Sequence, residues 1–138
     1  MTQDHGIGRL LDIMARLRDP VGGCPWDVEQ TFASIVPHTI EEVYEVVDAI
    51  EKGDMALLKE ELGDLLLQVL FYAQMAQEEG LFTFADIATV LADKLVRRHP
   101  HVFGDMKVDS AEMQLAVWEA LKADERRRQD MQERPSVL

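Results

Sequence analysis

The sequence predicts an all-α protein, an antiparallel helical bundle of about five helices. Three observations predict the helices. Apolar residues recur at spacings of three and four through most of the chain, and no segment alternates as a strand does. The breaks cluster, at Pro20, Gly22, Gly23 and Pro25, then at Gly53, Gly80, Pro100 and Gly104. Long amphipathic segments joined by such short connections pack as antiparallel neighbours. A length of 138 residues suits one domain with a real core, and 47% apolar content is too high for a disordered chain.

The first helix is expected from about Ile7 to Arg18, with Leu10, Leu11, Met14 and Leu17 facing inward. A loop from Asp19 to Asp27 follows, then a short turn near Glu29 to Ser34. The second helix runs from about His38 to Lys52 and stops at Gly53. Asp54 is placed to cap the third, which runs from Met55 to about Glu79 and ends at Gly80. The fourth runs from Phe84 to His99, ahead of Pro100. The fifth runs from Ser110, a cap, to Arg128. Residues 1–130 are assigned to the domain and residues 131–138, with Pro135, to a frayed tail.

A net charge of −12 repels nucleic-acid phosphates and anionic membranes, so neither is an expected partner. A small anionic ligand stays open, because a metal ion reverses the local sign. The single cysteine, Cys24, excludes an internal disulfide and a multi-cysteine zinc site. Residues 1–8 show no secretory pattern, and no apolar run approaches the ~18–20 residues of a membrane span. The expectation is a soluble cytoplasmic protein.

The informative stretch is Glu41 to Asp64, where nine acids against two bases leave −7 of that charge. On the second helix Ile40, Val43, Val46, Val47 and Ile50 form an apolar face, with Glu41, Glu42 and Glu45 opposite. Alone, that is an ordinary solvated acidic face. The third helix differs, because from Leu62 to Ala76 it is apolar in nearly every direction, which normally means burial all round. Yet Glu61, Asp64 and Gln68 share one stripe of it. A buried carboxylate without a partner costs several kcal/mol after relaxation, so these groups need positive charge. A divalent cation supplies it, or else an ion pair to Lys94, Arg97 or Arg98. All-oxygen ligands favour Mg²⁺ or Mn²⁺ over zinc.

Lys94, Arg97 and Arg98 form a basic patch that reads either as a phosphate clamp or as a solvated helix end. Trp26, in the loop Gly22 to Thr31, either stacks on a base or plugs the end of the bundle. Cys24 has no histidine or cation near it in sequence and is not expected to act as a nucleophile.

The pattern E-E-x-x-E at Glu41 to Glu45, followed by E-x-x-D at Glu61 to Asp64, resembles the signature of the MazG family of all-α nucleoside triphosphate pyrophosphohydrolases. The blocks GCPWDVEQT (Gly23 to Thr31) and KLVRRHPHVFGD (Lys94 to Asp105) extend the resemblance from about Leu10 to Glu125. It implies Mg²⁺-dependent hydrolysis of nucleoside triphosphates to monophosphate and pyrophosphate. It implies Glu42, Glu45, Glu61 and Asp64 as metal ligands, with Glu41 as a further ligand or water-orienting base. It places Lys94, Arg97 and Arg98 on the phosphates, His38 near substrate, and Trp26 as a nucleotide contact. It also implies a homodimer. Many family members carry two copies of the domain, and this chain resembles the first copy with the start of the linker. Two other classes stand beside this reading. A di-iron bundle normally uses Glu-x-x-His pairs, which are missing here. A catalytically weak or inactive helical dimerisation or regulatory module explains the acidic surface but not carboxylates on an apolar helix.

Overall fold

The computed structural model describes residues 5–133, and these contain seven helices and no strand. The helices are α1 (Ile7–Leu17), α2 (Pro25–Glu29), α3 (Phe32–Lys52), α4 (Met55–Glu78), α5 (Phe84–Arg98), α6 (Pro100–Phe103) and α7 (Ala111–Glu133). The all-α expectation holds. Two compact units divide the chain, Met1–Ile87 and Ala88–Leu138.

Caps explain most boundaries. Asp54 accepts the Leu57 N–H at 3.1 Å to open α4, and Ser110 accepts the Met113 N–H at 3.1 Å to open α7. The expected start at His38 is six residues late. Thr31 and Ser34 form a reciprocal capping box, so α3 begins at Phe32 and passes through Pro37. Proline removes a single backbone donor there. The helices α2 and α6 have five and four residues, too short to show a period. At the other end α7 continues to Glu133, through the first residues assigned to the tail; residues 134–138 lie outside the described part.

In the first unit α3 and α4 pair along their length and α1 packs on α4. The core is Met14, Ile35, Leu70, Phe71 and Met75, flanked by Leu11, Leu66, Tyr72 and Phe84. It lies against the C-terminal half of α4. Burial of α4 on all sides is not found within one chain, since Leu62, Leu67 and Val69 are exposed. The face of α3 turned inward carries Ile35, Thr39, Glu42, Val46 and Ala49, of which Ile35 and Ala49 are fully buried. Its Ile40, Val43, Val47 and Ile50 stay exposed. Leu10 of α1, expected inside, is exposed as well.

Two glycines hold the turns. Gly53 ends α3 at φ +69°, where a side chain is strained. At Gly23 a Cβ would run into the Asp19 and Leu17 carbonyl oxygens. Gly53→Ala is expected to lower stability by about 1 kcal/mol in urea unfolding. Gly23→Ala should cost more, because the atoms it meets are backbone.

Candidate functional site

Pairing of α3 with α4 brings Glu42 against Glu61 and Asp64. One oxygen from each lies within 4.8 Å of the others. Glu42 and Glu61 are half-buried and Asp64 is exposed. The Glu42 Oε2 atom is inaccessible and has no hydrogen-bond partner. Among the described residues of this unit, no basic side chain pairs with any of the three. Burial pushes the Glu42 carboxyl above its ordinary range, followed by the charges of Asp64, Glu61, Glu41 and Glu45. Glu61 is raised too, by burial first and then by Glu45 and Asp64. Glu45 and Glu41 are exposed and lie outside the three-carboxylate group, though their charges act on it.

This donor set fits a hard divalent cation. It is all oxygen, it is short of positive charge, and one oxygen is already stripped of water and protein donors. Sequence reasoning missed the polar lock beside it. Gln68, one turn beyond Asp64, is 7% exposed. The Thr39 hydroxyl lies 3.1 Å from Gln68 Oε1 and 2.6 Å from the Tyr72 hydroxyl. Thr39 is one turn before Glu42, so the lock fixes the register in which the carboxylates meet. An isolated glutamine on an apolar helix was the signal for it.

Trp26 and His38 come together in the same unit. Their rings meet edge-on at 5.6 Å, and Trp26 meets Phe71 edge-on at 6.4 Å. Trp26 is 49% exposed, too much for a plug alone. Cys24 is half-buried.

In the second unit Lys94, Arg97 and Arg98 line a cavity of about 580 Å³ with Lys122, Arg126 and Arg128 of α7. Both arginines converge on Glu125. Arg97 Nη2 is 2.7 Å and Arg98 Nη2 is 2.6 Å from its carboxylate. The Arg98 hydrogen bond, with Arg97 in support, holds the Glu125 carboxyl down at about 2. Arg98 and Lys122 also approach the Trp118 ring. Both arginines thus pair with Glu125, a residue 27 positions from Arg98 that no local spacing marks, and not with the carboxylates of α3 and α4 for which the sequence left an ion pair open.

Two pH effects follow. Glu42 binds its proton more tightly folded than unfolded, so its contribution falls as pH rises from about 4.5 through the raised folded value. Glu42→Gln should therefore raise the melting temperature of the metal-free protein at pH 7 and change it little at pH 4. Glu125 runs the other way. Its contribution is full above about 4.5 and is lost as pH falls toward about 2. Acid titration of α7 helicity by circular dichroism should show that loss, and Glu125→Gln should remove it.

Comparison with known proteins agrees with this geometry. Residues 30–103 match the MazG nucleotide pyrophosphohydrolase domain. The chain is 62% identical over 120 residues to a nucleoside triphosphate pyrophosphohydrolase of Escherichia coli K12, covering 87% of this chain and 46% of that protein. It is 50% identical over 117 residues to the nucleoside triphosphate pyrophosphohydrolase/pyrophosphatase MazG of Thermotoga maritima, covering 85% and 44%. The chain thus spans less than half the length of either relative. The crystal structure of a mazG-related protein from Thermotoga maritima superposes with a TM-score of 0.68 at 29% identity, covering 85% of this chain and 99% of that one. With more than half of its residues inside the matched region, and the carboxylates of its two acidic motifs meeting across α3 and α4, the chain belongs to the MazG nucleotide pyrophosphohydrolase domain family.

Proposed function

We propose that this domain hydrolyses nucleoside triphosphates to the monophosphate and pyrophosphate with Mg²⁺, or Mn²⁺ in its place, as a house-cleaning or pool-controlling activity of the cytoplasm. The observation that carries the reading is the convergence of Glu42, Glu61 and Asp64, with Glu42 Oε2 inaccessible and without a partner. Glu42, Glu61 and Asp64 would hold the metal, with Glu45 as a further ligand from the adjacent turn. A bound Mg²⁺ would offset phosphate charge and make water a better nucleophile near neutral pH. Glu41, exposed beside the site, is assigned to accept the proton of the attacking water. Water adds at the α-phosphorus, the α–β bridging bond breaks, and pyrophosphate leaves. Lys94, Arg97 and Arg98 are assigned to the phosphates and His38 and Trp26 to the nucleoside. Such donors act chiefly by positioning and by charge stabilisation, as phosphoryl transfer requires.

Exposure of Ile40, Val43, Val47 and Ile50 along one side of α3 supports a homodimer, since a contiguous apolar face is costly to leave in water. Residues 1–130 are proposed as the domain that each subunit contributes. The same face favours the second reading, an inactive dimerisation or regulatory module. No helix of the described residues is long and apolar enough to cross a membrane, and neither membrane nor nucleic acid is a proposed partner.

Pyrophosphate release from a panel of nucleoside triphosphates, with Mg²⁺ and with chelator, tests the hydrolase. Glu42→Gln or Asp64→Asn should reduce turnover by more than the roughly 10–100-fold that loss of a supporting outer partner costs. Helicity should be unchanged. Wild-type turnover in either variant would remove the metal assignment. A dimer that releases no pyrophosphate from any nucleotide would leave the module.

A further inference from the structure

The most heavily bonded cation of the described part is not in any acidic motif. Arg18, the C-cap of α1, is 10% exposed at its side chain. Its Nη1 donates to the carbonyl oxygens of Asp27 at 2.8 Å, Val28 at 3.3 Å and Gln30 at 2.9 Å. Its Nε and Nη2 form a fork on the Glu78 carboxylate, at 3.2 and 2.6 Å. The guanidinium carbon stands 5.8 Å from the centre of the Phe71 ring. One side chain thus ties the end of α1, the end of α2 and the end of α4.

What it secures is α2, five residues that cannot hold a helix alone. The three carbonyls it binds lie at the C-terminal end, where a helix runs short of backbone donors; of the three, Asp27 also takes the Gln30 N–H, at 3.3 Å. Gln30 adds a second brace. Its amide donates to the Trp26 carbonyl at 2.8 Å, and its oxygen accepts from Ser34 Oγ at 2.7 Å. All of this holds in place a helix whose one aromatic residue, Trp26, leaves half of its surface open. Its ring meets those of His38 and Phe71 at near right angles. His38 is one helical turn before Glu42, and Phe71 is two turns past Asp64. The indole therefore stands about 6–10 Å along the helices from the carboxylates. That is the span between the phosphates and the base of a nucleotide.

We propose that Arg18, through Glu78 and the end of α2, is a positioning residue that sets Trp26 as the stacking platform for the substrate's nucleobase. It acts on the base end of the ligand and not on the phosphate end. The inference rests on the nucleotide reading above and specifies how that site takes its base.

The test compares two probes on the full chain with Mg²⁺ by calorimetry, a non-hydrolysable nucleoside triphosphate and inorganic tripolyphosphate. Arg18→Met should weaken the nucleotide by roughly tenfold or more, the value of one base–aromatic stack, and leave tripolyphosphate unchanged. Trp26→Ala should do the same, and Arg18→Met should add nothing to it. Arg18→Lys, which keeps charge but not the fork, covers the case in which Arg18→Met does not fold, and should show the same split. Equal weakening of both probes, or effects of Arg18 and Trp26 that multiply, overturns the proposal. Wild-type protein that binds tripolyphosphate as tightly as the nucleotide overturns it and leaves the hydrolase reading standing. Binding of neither probe overturns both.

Discussion

Like charges held close together at the α3–α4 interface are the constraint on which the rest depends. Glu42, Glu61 and Asp64 meet because the two helices that carry them also carry the core. Helix pairing is driven by apolar contact, and the carboxylates are brought along with it. The result is a site in which Glu42 and Glu61 take up a proton more readily than free carboxyls do, and in which Glu42 Oε2 is inaccessible and without a hydrogen-bond partner. A site in that condition favours a dication over any arrangement the chain makes for itself. The Thr39–Gln68–Tyr72 contacts add directional bonds one turn away, so the helices cannot slide to relieve the repulsion.

The apolar residues are distributed on a different logic. The core of the first unit is small and lies toward the C-terminal half of α4, whereas the N-terminal half of α4 and one side of α3 leave leucine, valine and isoleucine in solvent. A chain of this size that covers itself completely would not expose Ile40, Val43, Val47 and Ile50 in register. The proposed packing against a second copy would cover that side of α3.

Much of this was legible in the chain, and the failures have physical causes. The long helices show in their period and their caps. Asp54 and Ser110 open α4 and α7 where their chemistry says they should. The start of α3 lies six residues before the expected one because the Thr31–Ser34 box opens the helix ahead of Pro37. The inward face of α3 was hidden because an apolar stripe looks the same whether its own chain or another copy covers it. Glu61 and Asp64 were legible as a pair because residues three apart share one face of a helix, and Glu42 because its helix carries the other acidic motif. Arg18 with Glu78, and Arg98 with Glu125, were not, since they join positions 60 and 27 residues apart that only the tertiary fold brings together.

The central claim is that these carboxylates tolerate one another only with a divalent cation between them. Calorimetric titration of the intact chain with Mg²⁺ alone at pH 7 measures that binding directly. The account predicts saturable binding, and its loss in Glu42→Gln. Binding that survives that substitution, or no binding, would contradict it.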